Sequence, residues 1–471
     1  MFRFVACLVA LAAIALPAHA EEKLPNIVLI VADDLGCFEL GCYGQTKIKT
    51  PNIDKLAEGG MKFTRFYSGC PVCAPSRCAI MTGKHMGHAT VRNNMQFKKG
   101  EEGQFPIRAE DVTVTELLKE KGYATGAMGK WGLGNWDTTG TPLKHGFDLF
   151  YGYNCQGHAH SHYPKYIYRN GEKIDLKEND GKTGKQYTQA MFEAEALDFI
   201  EKQQAKPFFL YLPFTVPHVA LQVPEDSLAE YKGKLGEDPP YDGKKLGYLP
   251  HETPRAAYAA MVTRMDRSVG RILGKLKAAG LEKNTLVLFT SDNGPTMPSG
   301  GAGVDDTFNS AGKLRGRKGS IYEGGIRVPL IVSMPGTIKP GTVCDTPFYF
   351  PDVLPTLCAF ADAKVPDGID GISFRPVLVN AAKQRTHDFL YWEFPGYGGQ
   401  QAVIAGEWKA VRQNLVKGVV KTELYNLAKD ESEKEDVSAK NPDVVARLEK
   451  LLKDQHVPSK DFPLQTIDPK K

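Results

Sequence analysis

Apolar runs in this chain repeatedly end on polar residues. Asn26-Ile27-Val28-Leu29-Ile30-Val31-Ala32 stops at Asp33-Asp34, and Thr285-Leu286-Val287-Leu288-Phe289-Thr290 stops at Ser291-Asp292-Asn293. The run 207–212 leads to Thr215-Val216-Pro217-His218, and 123–128 leads to Gly129-Lys130-Trp131. Continuous β-rich runs of this length predict strands buried on both faces, as in a parallel sheet. Helical spacing predicts helices over 52–58, 113–120, 190–202 and 256–279. Strands alternating with helices imply a doubly wound α/β domain. Such sheets bind ligands outside the carboxyl ends of their strands. Asp33, Asp34, Lys130, His218, Asp292 and Asn293 should then meet on one rim. Taken singly, each acidic pair reads as strand-end turn residues. Two pairs on two buried strands favour a site instead. Three carboxylates and an amide oxygen make a hard donor set, suited to Ca²⁺ or Mg²⁺ rather than Zn²⁺.

The N-terminus breaks the pattern. MFRFVACLVALAAIALPAHA carries Arg3, an apolar core and Ala18-His19-Ala20 before Glu21-Glu22. It reads as a secretory signal peptide over 1–20, and the rest as exported, periplasmic or secreted. Its apolar stretch is short for a membrane span, and no transmembrane segment is expected later. The net charge of +4 is too balanced to argue for nucleic acid or an anionic membrane as partner. Of nine cysteines, Cys7 falls in the leader. Export permits disulfides among the other eight, but a large core must do most of the holding together.

Residues 70–83 read CPVCAPSRCAIMTG. Cys73-Ala74-Pro75-Ser76-Arg77, followed by Met81-Thr82-Gly83, resembles the signature of the type I sulfatases. Ala32 to Gly36, Gly41-Cys42-Tyr43-Gly44, Gly129-Lys130-Trp131, Thr215 to His218, Ser291 to Gly294 and Lys318 to Pro329 match that family in order. The resemblance covers most of the chain after the leader. It implies an alkaline-phosphatase-like α/β sandwich with a large, mostly parallel sheet over 21–345. A small C-terminal α+β subdomain with an antiparallel sheet would follow over 346–471. It also implies that Cys73 is oxidised to formylglycine (3-oxoalanine) by a formylglycine-generating or sulfatase-maturing enzyme. An aldehyde hydrate there would attack the sulfur of a sulfate ester, and its second hydroxyl would let the hemiacetal collapse and expel sulfate. Asp33, Asp34, Asp292 and Asn293 would bind Ca²⁺, or Mg²⁺, beside residue 73. Arg77 would steady the hydrate, Lys130 and Lys318 would hold sulfate oxygens, and His218 would be the candidate general acid. Cys70 and Cys78 have no such assignment; packing or a disulfide suits them.

One departure stands out. The family usually reads Gly-Lys-Trp-His-Leu-Gly, and this chain has Gly132 in place of the histidine. Either Asp292 or water takes over its step, or another histidine reaches the pocket, with His158, His160 and His162 as candidates. The variant pattern, together with Gly83 to Ala89 and Phe150 to Cys155, resembles bacterial carbohydrate sulfatases acting on galactose or N-acetylgalactosamine sulfates. On that likeness His85, His88 and Arg92 are candidate sugar contacts. Two rivals remain: a phosphodiesterase or phosphonate hydrolase of the same superfamily, and an inactive sugar-binding relative should Cys73 stay unmodified. Further on, 389–393 and 408–412 read as short strands and 441–455 as a closing amphipathic helix.

Overall fold

The computed structural model describes residues 23–243, 247–296, 307–381, 384–418 and 421–468; the leader read at 1–20 lies outside them. The buried runs form the strands β1 (Asn26–Ala32), β2 (Met61–Tyr67), β3 (Ala124–Lys130), β4 (Leu149–Tyr153), β5 (Tyr166–Arg169), β6 (Glu172–Asp175), β7 (Phe208–Pro213), β8 (Thr285–Ser291), β9 (Arg327–Ser333), β10 (Thr342–Cys344) and β11 (Phe348–Tyr349). They make one 11-stranded sheet in the order β10-β2-β9-β8-β1-β7-β3-β4-β5-β6, with β11 also on β2. The central strands β8, β1, β7, β3 and β4 run parallel. β9 runs against both its neighbours, β8 and β2, and at the far edge β5 runs against both β4 and β6.

Helices α1 (Pro51–Glu58), α2 (Cys73–Thr82), α3 (Val114–Glu120), α4 (Thr188–Lys202), α5 (Glu225–Leu228) and α6 (Pro254–Ala278) lie between the strands. Alternate β1 side chains feed two cores. Ile27, Leu29 and Val31 join one with α2 and α3, while Val28 and Ile30 join the other with α4 and α6. This two-faced burial is why β1 reads as an unbroken apolar run.

A second sheet, the antiparallel meander β12 (Leu390–Phe394), β13 (Gln400–Ala405), β14 (Trp408–Gln413) and β15 (Thr422–Asn426), is covered by the helix Pro442–Asp454. The helix Val353–Phe360 packs with the large-sheet core, among Phe63, Phe348 and Phe374. All eight described cysteines are free, and Cys70 and Cys78 are simply packed. Among the described residues no helix is long and apolar enough to cross a membrane.

Candidate active site

The strand directions decide where the chemistry gathers. β1, β2, β3, β7 and β8 all end at one rim, and β9 begins there. Asp33 and Asp34 follow β1, and Asp292 and Asn293 follow β8. Lys130 ends β3, His218 lies just past β7, and Lys318 precedes β9. β2 runs out into the turn that opens α2, whose first residue is Cys73. A helix start leaves free N–H groups and a partial positive charge, a favourable neighbour for an anion. Asn94 Oδ1 takes one of those donors, the N–H of Ala74, at 2.8 Å.

The groups are buried and interlocked. Asp34 N–H donates to Asp292 Oδ1 (3.1 Å), and Asn293 Nδ2 to Asp34 Oδ1 (2.8 Å). Asp34 adopts φ 64°, a left-handed backbone that Asp tolerates better than most residues and that tends to mark functional positions. Arg77 donates through Nε and Nη2 to Asp292 Oδ2 (3.1 and 2.8 Å) and through Nη1 to the Lys130 carbonyl (2.8 Å). Lys130 pairs with Asp33, whose Oδ1 accepts from Cys73 Sγ at 3.5 Å. Lys318 Nζ donates to Asp34 Oδ2 (2.7 Å) and to His218 Nε2 (3.0 Å). His218 Nδ1 contacts the Val219 carbonyl, so the proton belongs on Nδ1 and Nε2 carries the lone pair.

Burial sets the proton affinities. It pushes the Cys73 thiol up to about 12, against the pull of Lys130 and Lys318. Thiolate is then scarce at neutral pH, and an unmodified Cys73 is a poor nucleophile. Burial also raises Asp292 to about 6 and lifts Asp34 above the usual carboxylate range, while Lys318 holds Asp34 down. Asp33 alone is lowered: Lys130 leads the neighbouring charges that outweigh its burial. His218 is pushed well below the ordinary range, by burial first and then by Lys318.

These observations test the fit of a hard cation. Asn293 Oδ1 is buried without a hydrogen-bond partner, and Asp33 Oδ2 is in ion-pair contact in an orientation that makes no hydrogen bond. Ligand atoms of Asp33, Asp34, Cys73 and His218 lie within 4.8 Å of one another. The three carboxylates face three cations, Arg77, Lys130 and Lys318, so the bare pocket has no net attraction for an anion. A divalent cation on the oxygen donors would supply it. The residues fit.

The three histidines of 158–162 part company. The His160 ring stacks on His218 with centroids 4.9 Å apart and planes at 10°. His162 is fully buried; its Nε2 donates to the His218 carbonyl (3.0 Å) and Thr215 Oγ1 donates to its Nδ1 (3.3 Å). It braces the loop that carries His218. His158 sits further out, packed on Tyr166 at 4.2 Å.

Position 132 has a physical explanation. Gly132 has φ 78°, and a Cβ there would lie 2.0 Å from Gln156 Nε2. Gln156 therefore fills the place where a side chain at 132 would start. Both atoms of its buried amide lack a hydrogen-bond partner. Gln156 and Tyr248, whose ring sits edge-on to His160 and His218, escaped sequence reading. The 2.0 Å approach is invisible without coordinates, and Tyr248 follows no apolar run.

His85, His88 and Arg92 lie beyond the other end of α2. A ten-residue helix spans about 15 Å. His85 Nδ1 accepts from Gly87 N–H (3.1 Å), which leaves the proton on Nε2, facing Gln455 Oε1 (3.3 Å). His88 Nδ1 meets Asp370 Oδ1 at 2.8 Å. Every nitrogen of the Arg92 guanidinium is bonded to protein: to the carbonyls of Ala89, Gly87 and Val457 and to Glu393 Oε1.

The sulfatase family model matches residues 25–363. The chain belongs to the sulfatase family. It is a sulfuric ester hydrolase on an α/β fold. A second model, described as N-sulphoglucosamine sulphohydrolase, C-terminal, matches 317–457. The sulfatase is 30% identical to mouse (Mus musculus) steryl-sulfatase over 455 residues, covering 81% of this chain and 69% of that one. It is 32% identical to dog (Canis lupus familiaris) N-acetylgalactosamine-6-sulfatase over 423 residues, 86% of this chain and 74% of that one. The solved structure of Ps i-CgsB in complex with k-i-k-neocarrahexaose superposes with a TM-score of 0.78 at 29% identity, covering 95% of this chain and 94% of that one.

Proposed function

We propose that this sulfatase is an exported enzyme that removes sulfate from carbohydrate, on galactose or N-acetylgalactosamine units, with residue 73 as the nucleophile. The observation that carries the reading is the setting of Cys73, on the first turn of a helix and 3.5 Å from Asp33 inside a ring of three carboxylates and three cations. Its raised thiol affinity argues against a thiolate nucleophile and for conversion to formylglycine. That group, hydrated, supplies an oxygen nucleophile with a built-in route for expelling sulfate. Asp33, Asp34, Asp292 and Asn293 would hold Ca²⁺, which supplies Lewis-acid neutralisation of the sulfate oxygens.

The remaining residues act by position and charge. Arg77, tied to Asp292 and to the Lys130 carbonyl, fixes the geometry below residue 73. Lys130 and Lys318 offer ammonium groups to sulfate oxygens, charge stabilisation prepaid by folding. Lys318 donates a hydrogen bond to His218 Nε2 and so fixes the imidazole that this reading sets beside the departing alcohol oxygen as general acid.

The relatives differ in the alcohol they are named for. A sugar is favoured here by the N-acetylgalactosamine-6-sulfatase relative, by the neocarrahexaose in the i-CgsB structure, and by the cavity beside His160, where aromatic rings and lysines share the lining. The test is release of inorganic sulfate from 2-, 4- and 6-sulfated galactose and N-acetylgalactosamine. Intact mass of the Cys73 peptide is read alongside; conversion of thiol to aldehyde lowers it by about 18 Da, from the exchange of sulfur and hydrogen for oxygen. Sulfate release from at least one sugar is expected. No release from any by converted enzyme would end the carbohydrate reading.

A further inference from the structure

A cavity of about 440 Å³ opens beside His160, whose ring stacks on that of His218. Its size is in the range of small-ligand pockets, about 300–1,000 Å³. His160 and Tyr248 form the wall shared with the catalytic centre, since His160 stacks on His218 and Tyr248 lies edge-on to both. Lys165 and Lys182, both exposed, also line it, and no carboxylate does so among the described residues. His158 also lines it. Both of its ring nitrogens are buried and make no hydrogen bond, with Nδ1 3.6 Å from Glu102 Oε1.

The cavity is tied to the catalytic loop. Gln222 Nε2 donates to the Lys182 carbonyl (2.5 Å), Gln222 Oε1 accepts from His162 N–H (2.7 Å), and His162 Nε2 donates to the His218 carbonyl (3.0 Å). The turn bearing Lys182 is therefore held in register with His218. Two ammonium groups with no carboxylate beside them in the lining match an anion rather than a neutral hydroxyl face.

We propose that this cavity is a second-anion subsite, which receives a sulfate or carboxylate carried by the sugar adjoining the one being desulfated. The proposal rests on the carbohydrate reading above and narrows it to polyanionic chains. The enzyme then gains affinity from the charge of the neighbour it leaves intact.

The experiment uses the full enzyme with Cys73 converted and Ca²⁺ supplied. The substrate is the monosulfated sugar that the panel shows to be turned over, linked in turn to a neutral, a sulfated or a uronic acid neighbour. The readout is the ratio of kcat/KM for each charged neighbour over the neutral one. A ratio of roughly tenfold or more is expected for at least one charged neighbour. It should fall towards one in Lys165→Ala/Lys182→Ala, survive in Lys165→Arg/Lys182→Arg, and shrink as salt is raised. The sulfated and uronic arms tell the two anions apart. A wild-type ratio near one for both neighbours, or a ratio that survives the double alanine change, overturns the subsite while leaving the carbohydrate reading intact. Hydrolysis of 4-nitrophenyl sulfate with no release from any sugar overturns both.

Discussion

Two buried charge clusters in this molecule are built to opposite standards. The rim cluster around Asp33, Asp34, Asp292 and Asn293 leaves Asn293 Oδ1 without a partner, raises the proton affinity of two carboxylates and holds Asp34 at φ 64°. The second clasps the C-terminal tail to the body. Glu393 accepts from Arg92 Nη1 (2.6 Å), Tyr391 Oη (2.7 Å) and His456 Nδ1 (2.7 Å), and His456 Nε2 donates to Asp468 (2.8 Å). No side-chain polar atom of Arg92, Tyr391, Glu393, His456 or Asp468 is left buried and unpaired. A saturated buried cluster specifies structure, whereas an undersatisfied one is held ready for something that arrives later.

That contrast breaks first at the nucleophile. Cys73→Ser should lose roughly 10⁴-fold or more in kcat, on the scale of removing a covalent nucleophile, with the melting temperature unchanged. Near-native turnover would dismiss the formylglycine reading. Next, Asp292→Asn should cost roughly 10³-fold in activity and move stability little, because the loss of Arg77's partner is set against relief of a carboxylate whose proton affinity burial raises to about 6. Glu393→Gln should do the reverse. It strands Arg92 and His456 and should cost about 3–5 kcal/mol in denaturant titration, with kcat of the folded fraction within a few-fold. Should both variants lose stability alike, the distinction between the clusters fails.

Removing the cation sharpens the comparison further. A chelator should abolish activity and lower the melting temperature. Ca²⁺ at about a hundredfold over its dissociation constant should return about 2.7 kcal/mol of stability, seen as a shift in the unfolding curve. The smallest effect belongs to the clasp. Burial pulls the His456 proton affinity down, but hydrogen bonds and charge from Glu393 and then Asp468 raise it above the ordinary value. A raised group contributes fully below its unfolded pKa of about 6.5, and the contribution is lost as pH rises through the folded value. Protection of the amides over 455–464, taken relative to their intrinsic exchange rates, should therefore fall at alkaline pH, and His456→Gln should flatten that dependence.

Sequence reading reached the rim because its rule is local. A residue just past an apolar run lies at a strand's carboxyl end whatever else the chain does, so Asp33, Lys130, His218 and Asp292 fell into place together. It was less sure wherever the pattern was not continuous. β2 alternates and is broken by a bulge between Phe63 and Phe66, yet it delivers Cys73. β13 went unseen because Gln400 and Gln401 are buried by hydrogen bonds rather than by apolarity. The stretch around His85, His88 and Arg92 entered as candidate sugar contacts through the family likeness alone. Its partners, Asp370, Glu393 and Gln455, lie 282 to 370 positions away, beyond any local signal.

The central place of β1 has a consequence in time. The first strand to be synthesised bonds only to β7 and β8, whose residues follow some 182 and 259 positions later. The rim cannot be complete until Asn293 has been made, about 220 residues after Cys73. At synthesis rates of about 5–20 residues per second that is roughly 10–45 s. A thiol that ends 1% exposed spends that interval on an open chain, so the oxidation proposed above would fall within it.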